Sequence, residues 1–339
     1  MTVRAERTVG RSGGPRPPGF GSQDAFFYKD WLHVNVVDQE RGAVGLVNAS
    51  LHGDPRDPRA VAVGAALLHL PGRGWLGGVH VVPQQEAVVG HSGIFMESVA
   101  VSVDGRTGTV AASMRTTELT GELIGTPAAP STTLPVPLPF GSGWIGWSVT
   151  PRLHLTGSLH GAGTTIGTHA ASGYHDHNWG RWRWGDDLGW DWAALLAPEP
   201  APALVLSRAT DRQHSSTADW RLTITDATTE TTFAGRRVDV RTDGRMSGPI
   251  RRLPGATAAA QTGRSRPDLP SRWQVRAVDG FDHVEAEVCA TAAAQLVLAE
   301  PTGPGYSYLH EIAVTFSAEG RVRGRRVRLQ GLGIAERLD

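Results

Sequence analysis

Along almost the whole chain, apolar and polar residues alternate with a period of two, and turn-forming residues break the alternation at short intervals. WLHVNVVD (31–38), AVGLVNASLHG (43–53) and AVAVGAALLHL (60–70) read as strands. So do WRLTITDATTETTFAG (220–235), RRVDVRT (236–242), RWQVRAVDGFDHVEAEVCA (272–290) and GRVRGRRVRLQGLGI (320–334). ESVAVSVDGRTGTVAASM (97–114) reads as a hairpin turning at Asp104-Gly105. Spacing of the helical kind is almost absent. This pattern, in a chain with 42 glycines, predicts an all-β protein made of sandwiches or barrels. Its 339 residues suffice for two ordinary domains.

Irregular segments mark where the sheets pause. TPAAPSTTLPVPLPF (126–140) is too rich in proline for a sheet interior and reads as an extended loop or lid. APEPAPA (197–203) reads as a hairpin loop or a linker, and 247–271 as a surface excursion. Residues 1–22, rich in Gly, Pro and Arg with no apolar run, read as a flexible arm rather than a secretory signal. The expected division is therefore an arm at 1–22, a first domain over 23–186 and a second over 187–339.

Lys+Arg and Asp+Glu number 33 each, so no basic surface excess points to nucleic acid or to an anionic membrane. No stretch is apolar enough for a membrane helix, and the expectation is a cytoplasmic protein. Lys29 is the sole lysine, which leaves little scope for Schiff-base chemistry. Cys289 stands alone, so neither an intramolecular disulfide nor a multi-cysteine zinc site can form. Neither a dinucleotide fingerprint, a P-loop nor a G-x-S-x-G elbow is present.

One stretch carries the chemistry. SGYHDHNWGRWRWGDDLGWDW (172–192) holds two histidines, four aspartates and five tryptophans in 21 positions. In an extended backbone, Tyr174, Asp176 and Asn178 share one face, while His175, His177 and Trp179 share the other. Two imidazoles two residues apart can ligate a metal if a third ligand, such as Glu97, joins them. The plainer reading makes them structural hydrogen-bonding groups. On the opposite face, an Asp176 enclosed in an apolar barrel would be pushed toward its neutral form by desolvation and could donate a proton. Its plainer reading is an ion pair with Arg181 or Arg183, or a turn cap. Trp182 and Trp184 share a face, as do Trp190 and Trp192, and Trp144 and Trp147 lie just upstream. Indole faces attract cations, so a tryptophan-lined cavity beside a proton donor suits a carbocation reaction.

GYHDHNWG (173–180), the following WRWG (182–185) and GWDW (189–192) resemble the two-domain lipocalin-like family of carotenoid 1,2-hydratase (hydroxyneurosporene synthase) and the AttH-like proteins. DAFFYKDWLHVNVVD (24–38) is similar to the aromatic-rich first strand of that family. The resemblance implies two tandem lipocalin-like antiparallel β-barrels, no cofactor, and an apolar small-molecule substrate such as an isoprenoid olefin. It implies Asp176 as proton donor with Tyr174 beside it, and it also matches His175, His177 and Trp179 to motif positions. Related barrels act as pericyclic cyclases on polyenes. The segments 126–140 and 247–271 are not matched by the resemblance, which leaves the exact substrate open.

Three readings follow. The first is acid-catalysed hydration or cyclisation of an olefin, with Asp176, Tyr174 and His177 catalytic and Trp179, Trp190, Trp192, Trp147, His175, Asn178 and Trp31 around the substrate. The second is a pericyclic cyclase that needs no proton donor. The third is a lipocalin-like protein that only binds an apolar ligand.

Overall fold

The computed structural model describes residues 27–54, 56–167, 171–215, 217–247, 250–253, 268–301 and 305–339. The expected arm at 1–22 and much of the 247–271 excursion lie outside the described residues. Among the described residues the regular structure is β, apart from short 3₁₀ turns at Gln84–Glu86 and Gly235–Arg237. No helix among them is long and apolar enough to cross a membrane.

The strands form two sheets. In the first, Gly74–Pro83, Val61–Leu70, Ala43–His52, Tyr28–Asp38, Ser172–Arg181, Gly143–Gly161 and Leu119–Pro127 lie side by side, and shorter strands continue it down to Val88–Gly90. The second runs from Glu230–Ala234 through Arg221–Thr225, Ala203–Thr210, Gly189–Leu196, Arg325–Leu338, Tyr306–Val322, Asp282–Ala299 and Pro270–Asp279 to Val238–Arg245. Neighbours along both paths are antiparallel; the short strand Ile250–Leu253 runs parallel to Asp282–Ala299. In each sheet the first strand pairs with the last: Tyr28–Asp38 with Ser172–Arg181, and Gly189–Leu196 with Arg325–Leu338. This gives the two tandem lipocalin-like units, each a curled antiparallel sheet whose end strands do not pair with one another.

Alternation explains how the sheets pack. Along Tyr28–Asp38, Leu32, Val34 and Val36 enter the core enclosed by the first sheet, while Trp31 and Val37 enter a different core. That second core lies between the sheets and joins Trp31, Leu46, Tyr174 and Trp182 to Trp192, Leu296, Leu309, Ile334 and Leu338. A third core, with Leu204, Trp220, Phe233, Trp273 and Phe316, fills the second sheet. Strand Tyr28–Asp38 is therefore buried on both faces.

Polar contacts cross the same seam. The Lys29 ammonium, fully buried, donates to Glu300 Oε2 at 3.1 Å and to the Trp182 carbonyl at 3.0 Å, and Glu300 also accepts the Trp184 N–H at 3.1 Å. Arg152 donates to the Ala197 carbonyl at 3.0 Å and to Ser172 Oγ at 3.1 Å.

The irregular segments resolve as follows. The predicted hairpin pairs Val99–Val103 with Val110–Arg115, its loop braced by Asp104 Oδ1 accepting the N–H groups of Arg106 and Thr107. APEPAPA is the loop of the hairpin joining Gly189–Leu196 to Ala203–Thr210. The proline-rich 126–140 segment is less irregular than expected, because Thr132–Thr133 and Leu138–Phe140 each make short antiparallel pairings with Gly143–Gly161.

Candidate active site

The strand carrying the motif, Ser172–Arg181, runs between Tyr28–Asp38 and Gly143–Gly161 at the seam. Its alternation sends Tyr174, Asp176 and Asn178 toward the second sheet. The cavity expected inside a barrel lies instead between the two sheets, because each barrel interior is filled by its own apolar core. It measures about 430 Å³, and Trp31, Trp147, Trp182, Trp190, Trp192 and Phe140 supply most of its aromatic wall. Two pairs of these rings meet edge to face, Trp31 and Trp190 with centroids 6.3 Å apart at 72° and Phe140 and Trp182 5.5 Å apart at 85°, while Phe140 and Trp190 are tilted by 34°. Leu134, Leu138 and Pro139 bring the proline-rich segment to its rim. Trp220 lines the far side, with its face covered by the Arg208 guanidinium 4.3 Å from the ring centroid.

Asp176 opens into this space and is 6% exposed. Its Oδ2 accepts the Tyr174 hydroxyl at 2.8 Å and the Trp147 indole N–H at 3.2 Å, and its Oδ1 accepts the Asn178 amide at 2.8 Å. Among the described residues no guanidinium takes part; Arg183 stacks instead on Phe27 at 3.8 Å. Burial pushes the Asp176 carboxyl above the usual carboxylate range, and His33, Tyr174 and Trp147 hold part of that rise back. Both Oδ2 lone pairs are occupied, so a proton on this carboxyl sits on Oδ1, whose second lone pair is free. Tyr174 is fully buried, with its ring 4.9 Å from Trp192. Burial and the adjacent Asp176 push its phenol well above the ordinary range, so it serves as a fixed hydrogen-bond donor.

The second sheet places another carboxyl opposite. Glu336 stands between Ile334 and Leu338 on the face that packs against the first sheet, and its Oε2 accepts the Trp190 indole N–H at 2.9 Å. Its Oε1 lies 3.9 Å from His33 Nε2, and His33 is the direct cross-strand neighbour of Asp176. Burial, with a further rise from Asp176, pushes Glu336 up to about 7, against an opposing pull from His33. His33 also hydrogen-bonds Asn35. The site is thus a pair of neighbouring carboxyls on separate sheets, with an imidazole beside them and indoles around them.

Of the residues singled out from sequence, Asp176, Asn178, Trp31, Trp147, Trp190 and Trp192 meet around the cavity, and Tyr174 holds Asp176 from behind. His175, His177 and Trp179 do not line it. The period of two turns them to the other face of the strand, toward the first sheet's own interior and edge. His175 Nδ1 donates to the His33 carbonyl at 2.8 Å, and burial lowers its imidazole to about 3, so the ring is neutral. His177 Nε2 lies 2.7 Å from Asp30 Oδ1, and the Trp179 ring packs 4.9 Å from His177. Among the described residues no group of three His, Cys, Asp or Glu side chains is placed to hold a metal ion. Sequence reasoning missed His33 and Glu336. Their signal was available: each is a titratable residue at a position where alternation calls for an apolar one, in W-L-H-V-N and I-A-E-R-L.

No protein-family model and no curated protein matches the chain. Solved structures do. The chain superposes on a candidate AttH protein from Nitrosomonas europaea with a TM-score of 0.68 at 16% identity, covering 97% of this chain and 98% of that one. It superposes on kievitone hydratase from Nectria haematococca with a TM-score of 0.62 at 14% identity, covering 97% and 96%. CghA, solved with Sch210972, gives 0.59 at 14%, covering 92% and 88%. At these identities the shared property is the two-unit fold over nearly the full length.

Proposed function

We propose that the chain is a cofactor-independent enzyme that protonates a carbon–carbon double bond of an apolar, isoprenoid-like substrate in the interface cavity. The observation that carries this reading is Asp176: a buried carboxyl raised by desolvation, oriented by three donors, and opening into an aromatic chamber of about 430 Å³. The fold likeness to a hydratase supports the same class of reaction.

In the proposed step the alkene π pair takes the proton from Asp176 Oδ1, forming a C–H bond and leaving a cation on the more substituted carbon. The open indole faces of Trp147, Trp190 and Trp192 stabilise that charge, each by about 1–2 kcal/mol in a dry site. For hydration, a water lone pair closes on the cation and the surplus proton passes to Glu336. For cyclisation, a second π pair closes on the cation and a proton leaves the resulting cation for the same carboxylate pair. Either outcome returns one proton to Asp176 and Glu336, which act as a pair and share it. The productive form is the one in which the shared proton is on Asp176.

A second reading, cyclisation by shape alone, has the support of the fold shared with CghA, which was solved with Sch210972. One experiment separates the two. Candidate prenylated and polyene substrates are incubated in ¹⁸O-labelled water with the wild-type protein and with Asp176→Asn, and products are read by mass spectrometry. Gain of labelled water by wild type alone identifies a hydratase, and a retention change at constant mass by wild type alone identifies a protonating cyclase. A product formed equally by Asp176→Asn refutes the acid role and leaves shape-based cyclisation. Substrate that is bound but recovered unchanged leaves a binding protein.

A further inference from the structure

The polar row that holds Asp176 does not stop at His33. In the first sheet the cross-strand neighbour of His33 on its other side is Asn48, and in the second sheet the neighbour of Glu336 is Glu311. Because His33 and Glu336 face each other across the seam, Asn48 and Glu311 are the next facing pair, one strand further on. They line a second cavity of about 220 Å³, and Trp31 walls both cavities. Leu46, Val63, Val79, Leu298 and Leu309 make its other walls apolar.

Two buried groups there lack partners among the described residues. Asn48 is 5% exposed and its Nδ2 makes no hydrogen bond; Glu311 is 1% exposed and its Oε2 makes none. The other polar side chains lining it are already engaged: Ser50 with His52 and the Val63 carbonyl, His52 with the Trp184 indole, and the Arg59 guanidinium with Asp57. Buried polar groups without partners are rare in native proteins. Water clusters would need several polar contacts per molecule, and apolar walls offer few. An occupant that fits has an apolar body and one polar head. The volume falls below the roughly 300 Å³ where drug-sized pockets begin, which selects a single-ring molecule.

We propose that this second cavity binds a small neutral molecule with an apolar body and a carbonyl oxygen, held by the Asn48 amide and the Glu311 carboxyl acting as donors. Burial, with Glu336 and Asp176 nearby, pushes the Glu311 carboxyl well above its ordinary range, which favours the protonated form that can donate. A cation, by contrast, would need a charged Glu311 and would face the unpaired Asn48 amide hydrogens.

The probe is benzamide, with benzylamine as a counter-probe of similar shape and opposite demand. Binding to the full chain is measured by calorimetry at neutral pH, and wild-type crystals are soaked with benzamide. Benzamide is expected in the second cavity within hydrogen-bond distance of Asn48 and Glu311, binding about tenfold or more tightly than benzylamine. Val63→Phe, which fills the space, abolishes binding, and Asn48→Leu weakens it about tenfold. The proposal is overturned if benzamide fails to bind wild type, binds only in the Asp176 cavity, binds a folded Val63→Phe equally well, or is outbid by benzylamine. Because the readout is binding, this result is independent of whether the Asp176 site turns over an olefin.

Discussion

Replacing Lys29 by Met tests how firmly the two sheets are locked together. The ammonium is fully buried and the Glu300 side chain is 4% exposed, so neither partner recovers solvation when the other is lost. Removing Lys29 takes its ammonium from the buried Glu300 carboxylate and, on the scale of broken buried pairs, costs about 3–5 kcal/mol. Met fills the methylene space but leaves the Trp182 carbonyl without its donor, while the Trp184 N–H still reaches Glu300. Adding Glu300→Gln removes the buried negative charge and keeps an acceptor for Trp184, so the double variant should recover most of the loss. What remains is the orphaned Trp182 carbonyl, about 1–3 kcal/mol. Urea unfolding at neutral pH, followed by tryptophan fluorescence and far-ultraviolet dichroism, measures both variants against wild type. A single-variant loss below about 1 kcal/mol, or a double variant less stable than Lys29→Met alone, would refute the reasoning.

Other outcomes follow from the same geometry. Glu336 is raised in the folded protein, so the folded state holds its proton longer than the unfolded chain, and stability falls as pH rises from about 4.5 to about 7. Glu336→Gln should flatten that slope by roughly 3 kcal/mol at most, read from urea midpoints across the range. Trp147→Phe removes a donor to the Asp176 carboxylate and should move the alkaline limb of the rate profile to higher pH; an unmoved limb counts against Asp176 as the titrating acid. His177→Asn breaks the contact with Asp30 and should lower stability while leaving product formation within a few-fold of wild type, whereas a loss of several orders of magnitude would return His177 to the catalytic set.

Much of the fold could be read from the period of two, and so could the division of the motif into a Tyr174/Asp176/Asn178 face and a His175/His177 face. Which face meets the cavity could not. Strand Tyr28–Asp38 is buried on both sides, so alternation there separates two interiors rather than an inside from an outside. Glu336 was illegible as a partner of Asp176 for a different reason: they sit on separate sheets, and strand patterning says nothing about how one sheet rests on another. Trp179 was grouped with the cavity because it is aromatic, yet its parity in the strand assigns it to the histidine face. Parity outranks residue type.

Seating Asp176, the proposed proton donor, on one sheet and the opposing Glu336 carboxyl on the other makes the gap between them a mechanical variable that neither sheet controls alone. A shift of one sheet against its companion would retune both the reach of the acid and the girth of molecules admitted, with every interior ladder left unbroken. Relatives of this architecture can therefore diverge in what they transform by re-seating a joint, long before either half needs a new core.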